Sequence, residues 1–588
     1  MAGTNRRPAW RIILSGLLLV ALVGVFVVRL VDIQVVRADE LNEAADDIRS
    51  RSVKVYGTRG EIVDRNGVVL ADSVMRYDIT MSPKQARSAQ SGTPEELDAN
   101  ANALGQALGI TAAEILGTID ASLAEDPDSD YAFVAKQVDT DAYERVKALE
   151  IPWVYTEDHP GRRYPNGAVA GNLLGFFGDD GDPLAGLELS QDECLASVDG
   201  RVSSLRSLED WVSIPGTEVV EEEAHDGGSL QLTIDADLQF QVQRIAEARV
   251  QELQADWATV TVMDAKTGEL LAVADVPTVD PNDPTATDAE DRGSRAFTAP
   301  FEPGSTFKAL TAASVIDAGQ AEPTSGVVAP YRYKPGGGVD VNDSSFHDDE
   351  NLTLTGVLIE SSNTGMSLFG ERLSDLQRYQ YMLDFGLGSP TEVDFLSEAS
   401  GDLHGDPEDW DNQTRYTTMF GQGLTTTAIQ IASVYQTIAN GGVRMPVSLV
   451  QGCTYEDGTV TEEPSTEGRR VISEQAADET SQMLEMVYQD GWLADEWNIP
   501  GYRVAAKTGT AQFADGQGGY RKEYLVSVAG FAPADDPQFV VSVSIMNAVK
   551  MNSSAASAPV FRDVMSQVLK KYRTVPSGAP APELPASW

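Results

Sequence analysis

Ser305 and Lys308 stand three residues apart in the stretch Glu302-Pro303-Gly304-Ser305-Thr306-Phe307-Lys308. A serine hydroxyl is a weak nucleophile and needs an adjacent base to take its proton. A lysine three positions on lies on the same face of a helix and can reach that hydroxyl. The surrounding residues predict such a helix. Pro303 and Gly304 halt the preceding chain, Phe307, Leu310 and Ala313 recur at helical spacing, and Gly319 closes the run. Ser305 then falls in the first turn, where free backbone N–H groups and the positive dipole end favour developing negative charge. Ser-x-x-Lys is short enough to arise by chance, although no other lysine here has a serine three residues before it. Two later motifs could complete a site: Ser361-Ser362-Asn363, and Lys507-Thr508-Gly509-Thr510 on a predicted strand. Each is weak alone, because Ser-x-Asn is frequent in loops and Lys-Thr-Gly is commonly a strand-edge turn.

Several elements must position these residues. Arg6, Arg7 and Arg11 precede an uncharged apolar run from Ile12 to Val28, which continues past Arg29 to Val36. Residues 12–36 are long enough to span a bilayer of about 30 Å. The arginines place residues 1–11 in the cytoplasm by the positive-inside rule. A cleaved signal peptide would have a shorter apolar core and a small-x-small site, whereas Arg29 and Asp32 follow here. The reading is a single-pass protein of the plasma membrane with a large extracytoplasmic part.

Residues 37–228 read as an elongated pedestal without a catalytic constellation. Thr58 to Gly67 reads as strand, turn, strand, with Asn66-Gly67 as a hairpin signal, and Pro94 to Glu125 as helices around Gly105 and Gly109. A second unit, 229–572, opens with a strand at Leu230, Leu232 and Ile234 and a helix from Asp235 to Leu253. Strands flank a turn at Lys266-Thr267-Gly268, and others are expected at Tyr502–Ala511, Tyr524–Phe531 and Phe539–Met546. Helices in the middle with strands at both ends predict an α+β domain with one antiparallel sheet. Residues 573–588, with four prolines at 576, 580, 582 and 585, are expected to be disordered and extended.

A chain of 588 residues predicts two or three domains. A net charge of −47 argues against a nucleic-acid surface, which needs basic patches, and reads as solvated surface. Cys194 and Cys453 form no C-x-x-C pair or metal-ligand spacing, and the four histidines are scattered. A disulfide is chemically open outside the cytoplasm, but two unpaired thiols and no metal or other cofactor are expected.

Taken in order, the three motifs match the signature of penicillin-binding proteins and class A β-lactamases, and the chain resembles a class B penicillin-binding protein, a membrane-anchored peptidoglycan D,D-transpeptidase. The resemblance spans nearly the whole sequence. Arg59-Gly60-x-Ile62-x-Asp64-Arg65-Asn66-Gly67 is similar to the first pedestal motif, Arg163-Tyr164-Pro165 with Gly175 to the second, and Gly186-Leu187-Glu188 to the third. Leu232 to Asp235 with Gln239, Asp280-Pro281-Asn282 and Gly421-Gln422-Gly423 match further landmarks. Two departures stand out: a histidine expected near Asn172 is absent, and the segment around Cys194 is unusual.

The resemblance implies a penicillin-binding transpeptidase domain and a set of roles. Ser305 would attack the penultimate D-Ala carbonyl of a stem pentapeptide and release the terminal D-Ala from an acyl-enzyme. Lys308 would be the general base, kept neutral by burial beside Lys507. Ser361 would relay the proton to the leaving amine, and Asn363 would bind the substrate's side-chain amide. Lys507, Thr508 and Thr510 would hold the terminal carboxylate, Gly509 would belong to the same substrate-binding stretch, and the Ser305 and Thr510 N–H groups would form the oxyanion hole. β-Lactams would acylate the same serine. The compact pedestal, the short cytoplasmic tail and the lack of a further C-terminal domain favour a septal, FtsI-type enzyme at the division site over an elongation-type one. Implied partners are a SEDS-family glycosyltransferase and other divisome membrane proteins. A serine β-lactamase or D,D-carboxypeptidase, and an inactive division scaffold, are the remaining alternatives. Glu408-x-x-Asp411-Asn412 only loosely matches a deacylating arrangement, and no catalytic position is substituted.

Overall fold

The structure, a computed structural model, describes residues 9–38, 40, 50–88, 92–178, 181–205, 214, 216–514 and 520–588. Its first element is the apolar helix α1 (Ala9–Val31), which runs on through a π-helical turn at Asp32–Val36. The span Trp10–Val36 is 27 residues of mean hydropathy 2.6, none of it buried within the protein. Its apolar residues face outward all round, as a helix surrounded by lipid requires. Arg6 and Arg7, on which the expected orientation rests together with Arg11, lie outside the described residues.

Two compact units divide the chain. One comprises residues 1–58 and 197–226 and contains a small antiparallel sheet of strands Ser50–Val55, Gly200–Leu205 and Val219–Glu222. The other, 59–196 with 227–588, holds every residue of the candidate site.

Within the second unit, the expected hairpin forms as β1 (Ile62–Val63) and β2 (Val69–Met81). The helices expected around Gly105 and Gly109 are α2 (Pro94–Leu108) and α3 (Ala112–Glu125). Each begins at a capping box, Thr93 with Glu96 and Thr111 with Glu114. Gly109 ends α2 at φ 74°, in the left-handed region that glycine adopts without strain. Strands β3 (Ala132–Val138) and β4 (Val154–Arg163) pair with β2.

Charged residues of the pedestal motifs serve as struts. The fully buried Glu188 carboxylate accepts from Arg59 at 3.0 Å and Arg162 at 2.6 Å, so its charge is paired on both oxygens. Asn172, near the position where a histidine is expected, donates from Nδ2 to the carbonyls of Asp291 and Gly293 and accepts from the Val279 N–H.

The strand expected to open a second unit, β5 (Ser229–Leu232), pairs parallel with β1 and antiparallel with Val450–Thr454, so one sheet runs across residue 228. Asp64 strengthens that continuity by accepting from the Ala236 N–H at 3.0 Å, at the start of α4 (Ala236–Leu253). The same pairing corrects the expectation of two free thiols. Gly228 donates to the Cys194 carbonyl, and Cys453 sits beside it on the neighbouring strand. The two cysteines, 259 residues apart in sequence, are joined in a disulfide with Cα atoms 6.1 Å apart.

The part of this unit that carries the candidate site is built on a five-stranded antiparallel sheet. Strands β6 (Trp257–Asp264), β7 (Leu270–Val276), β8 (Ala505–Ala514), β9 (Tyr520–Ala532) and β10 (Phe539–Met546) lie in the order β7-β6-β10-β9-β8. Strand β10 is buried on both faces, which explains its nearly continuous apolar sequence. Alternate residues feed two cores. Val541, Val543 and Ile545 pack with α4 and with Phe561 and Val564 of the last helix, Ala558–Lys571. Val540 and Met546 join the core containing Leu310, Ile429 and Tyr435.

A second correction concerns residues 573–588. They are extended but held in place: Ser577 bonds Gly501 and Arg503, Pro585 and Ala586 bond Thr353, and Ser587 bridges to Leu352. Composition suggests disorder because prolines and small residues bury little apolar surface, but the Ser577 N–H and hydroxyl and the Pro585 and Ala586 carbonyls find partners here, and proline keeps its carbonyl as an acceptor.

Candidate active site

The nucleophile candidate sits where three backbone segments converge. Residues Gly304–Phe307 form a 3₁₀ turn, and α5 (Lys308–Asp317) follows without a break. The sequence predicts a regular helix here; the tighter turn stacks residues i and i+3 almost directly, which brings the Lys308 amine to 2.8 Å from Ser305 Oγ. Gly304 has φ 57°, and a Cβ there would lie 2.8 Å from the Thr510 carbonyl oxygen. The absence of a side chain thus lets β8 close on the seryl turn. Gly509 does the same from the other side, since a Cβ would come within 2.4 Å of Ser527 Oγ and 3.0 Å of Thr306.

Lys308 is fully buried, and its partners define its protonation. Nζ lies 2.7 Å from the Ser361 carbonyl and 2.7 Å from Asn363 Oδ1, both of which can only accept. A neutral amine has two hydrogens and one lone pair; the two acceptors take the hydrogens, and the lone pair is left to face the Ser305 hydroxyl. Burial first, and the charge of Lys507 second, hold Lys308 well below the usual lysine range, while Asp343 pulls the other way. Lys507 is lowered by burial to about 7. Its amine donates to Ser361 Oγ at 2.9 Å, and Lys308 reaches the same oxygen at 3.4 Å. Ser361 therefore bridges the two amines.

Ser361 is held at φ 58°, an uncommon conformation for serine. It sits between α6 (Leu354–Ile359) and α7 (Asn363–Gly370). Asp343, which no motif spacing singles out, organises this turn. Its buried carboxylate accepts from Ser362 Oγ at 2.6 Å and from the N–H groups of Asn363 at 2.5 Å and Thr364 at 3.0 Å. His347 Nε2 lies 3.0 Å away on its outer side. Asn363 Nδ2 donates to the Asn342 carbonyl, which fixes Oδ1 toward Lys308. A buried aspartate with several donors has no sequence period; only its contacts reveal it.

Lys507, Thr508, Gly509 and Thr510 lie on β8, the edge strand of the sheet. Its outer edge faces a cleft of about 990 Å³ lined by Ser305, Ser361, Asn363, Thr508 and Thr510. Glu408 is exposed and does not line that cleft, and Asp411 caps the helix Asn412–Thr417 instead of facing the serine. All eight expected site residues belong to the cleft or to the buried amine cluster beneath it.

Known proteins resemble this chain over most of its length. Residues 258–566 match the penicillin binding protein transpeptidase domain, and residues 54–203 match the penicillin-binding protein dimerisation domain. The chain is 34% identical to penicillin-binding protein PbpB of Mycolicibacterium smegmatis, over 90% of this chain and 85% of that one. It is 32% identical to peptidoglycan D,D-transpeptidase FtsI of Escherichia coli K12, over 97% and 93%. Among solved structures, penicillin binding protein 3 from Mycobacterium tuberculosis complexed with ampicillin is similar with a TM-score of 0.70 at 29% identity, over 91% of this chain and 100% of that one.

Proposed function

The chain belongs to the penicillin-binding protein transpeptidase family, and on that premise we propose that it is a peptidoglycan D,D-transpeptidase of the class B, FtsI type that works through a seryl acyl-enzyme. The observation that carries the reading is the buried Lys308 amine, 2.8 Å from Ser305 Oγ and 2.7 Å from each of two acceptors, the Ser361 carbonyl and Asn363 Oδ1. Ser305 Oγ attacks the penultimate D-Ala carbonyl while Lys308 takes its proton. The N–H groups of Ser305 and Thr510 stabilise the oxyanion, an effect of about 3 kcal/mol for each donor. Collapse breaks the peptide bond; Ser361 passes a proton to the departing D-Ala amine, resupplied from the amine cluster. Lys507, Thr508 and Thr510 hold the terminal carboxylate, and Gly509 keeps β8 close enough for the peptide to pair with its edge as an added strand. Asn363 orients the donor peptide. An amine from a second stem peptide then attacks the ester, forming the cross-link and regenerating Ser305.

Labelling with a fluorescent penicillin tests this. Wild type is expected to carry a long-lived label and Ser305→Ala none. Label that survives the substitution removes Ser305 from the mechanism, and rapid turnover of the label supports the hydrolase alternative.

Membrane anchoring through α1, with residues 1–11 cytoplasmic and the cleft extracytoplasmic, belongs to the same proposal. So does action at the division septum beside a SEDS-family glycosyltransferase and other divisome membrane proteins. The resemblance to FtsI over nearly the full length supports this over an elongation role. Depletion is expected to give filaments; rounded or bulging cells would point to elongation. Failure to co-purify with a SEDS-family protein, under conditions that preserve acylation, would count against that partner.

A further inference from the structure

Residues 584–588 lie against the short strand Glu350–Thr353, which runs directly into α6. The Thr353 N–H donates to the Ala586 carbonyl at 3.0 Å, and the Thr353 hydroxyl donates to the Pro585 carbonyl at 2.6 Å. That hydroxyl also accepts from the Gly356 N–H, because Thr353 is the N-cap of α6. Ser587 bridges antiparallel to Leu352, and Trp588 Nε1 donates to the Val327 carbonyl at 3.2 Å. The sequence leaves room for this segment: a Cβ on Gly356 would lie 1.9 Å from the Ala586 carbonyl oxygen, and one on Gly326 would lie 2.4 Å from the Trp588 ring nitrogen. At the other end of α6, the N–H groups of Ser361 and Ser362 bond the carbonyls of Leu358 and Val357. The helix is only six residues long, so fewer than about two turns of helix lie between its N-cap Thr353 and Ser361.

We propose that residues 584–588 are a positioning element for acyl transfer, an extended segment docked in cis that fixes the start of α6 and thereby the backbone of Ser361. This rests on the transpeptidase reading, in which the Ser361 carbonyl holds one hydrogen of the Lys308 amine and its hydroxyl relays a proton. The segment touches neither substrate nor reacting atoms. Its effect falls on the rate of the acylation step and leaves penicillin binding unchanged.

The test is the concentration dependence of acylation by a fluorescent penicillin, which separates the binding constant from the acylation rate constant. It compares full-length wild type, deletion of residues 584–588, Gly356→Ala, and the combination, with thermal melts of each. Labelling of wild type that depends on Ser305 establishes the premise, so loss of the premise and loss of this inference are distinguishable. Deletion and Gly356→Ala are each expected to slow the acylation step by about tenfold, since small misplacements of catalytic groups have effects of this size or larger. The binding constant is expected to move by less than about twofold. The combination is expected to be no slower than either alone, because both release the same segment. A peptide Leu-Pro-Ala-Ser-Trp added at millimolar concentration is expected to restore the deletion variant but not Gly356→Ala. An unchanged acylation rate in folded Gly356→Ala, multiplicative losses in the combination, or a defect confined to the binding constant would each overturn the proposal. If the deletion variant does not fold, Gly356→Ala alone decides.

Discussion

Lys308 and Lys507 share one hydroxyl, that of Ser361, and both amines are buried. Two charges so placed repel, so the group under the stronger combined effect of burial and repulsion loses its proton first; that group is Lys308. The charge then resides on Lys507, where a substrate carboxylate needs it. The signs give a pH profile. On the acid side, acylation is expected to fall only when Lys308 gains a proton, below the ordinary lysine range. On the alkaline side, efficiency at low penicillin concentration is expected to fall near pH 7 as Lys507 loses its proton. At saturation the bound carboxylate stabilises the charged form and moves this limb to higher pH. An efficiency profile without an alkaline limb in this region would remove Lys507 from carboxylate binding.

Asp343 supports a separate prediction at the same scale. Asp343→Asn keeps the shape but turns an acceptor of several N–H and O–H bonds into a poorer one, and it removes the negative charge that raises Lys308. The acylation rate is expected to drop about tenfold or more, as the Ser361 turn loosens. The acid limb should shift to lower pH. A limb that does not move, or moves up, would separate Asp343 from the amine.

Among the elements, the sequence foretold those with a strong period and missed those defined by partners. Helix α4 lies where helical spacing puts it, β6 and β7 lie either side of the turn at Lys266-Thr267-Gly268, and β10 lies at the expected Phe539–Met546. The 3₁₀ turn at Ser305 differs because it is packed against β8, a partner far away in sequence that comes too close to Gly304 for a side chain there. The Cys194–Cys453 bridge was not legible, since it depends on Val450–Thr454 pairing with β5. Cross-linking a loop this long restricts the unfolded chain strongly. Cys194→Ser with Cys453→Ser is expected to lower unfolding free energy by about 2–5 kcal/mol, read by urea denaturation of the oxidised protein against the variant. An unchanged midpoint would show that the bridge does not stabilise this unit.

For the molecule as a whole, the anchor and the catalytic half are separable in principle, because the entire site lies within residues 59–196 and 227–588. Full-length protein is expected to sediment with membranes. A chain lacking residues 1–36 is expected in the soluble fraction with its Ser305 acylation rate within about twofold of the full chain, the spread expected when no catalytic contact changes. Membrane association that survives removal of the helix would point to a second attachment surface.

The sequence by itself determined the apolar span, the α+β order of elements and the three motifs, because each is written in local period or spacing. It also named Ser305, Lys308, Ser361, Asn363 and the residues from Lys507 to Thr510 as one site. Only the tertiary structure decided what makes those residues a reactive set: which groups bury and bridge the two amines, which carboxylate holds the Ser361 turn, which thiols pair, and where residues 584–588 lie. Desolvation and hydrogen bonding depend on atoms brought close from distant parts of the chain, and one-dimensional spacing carries no record of them.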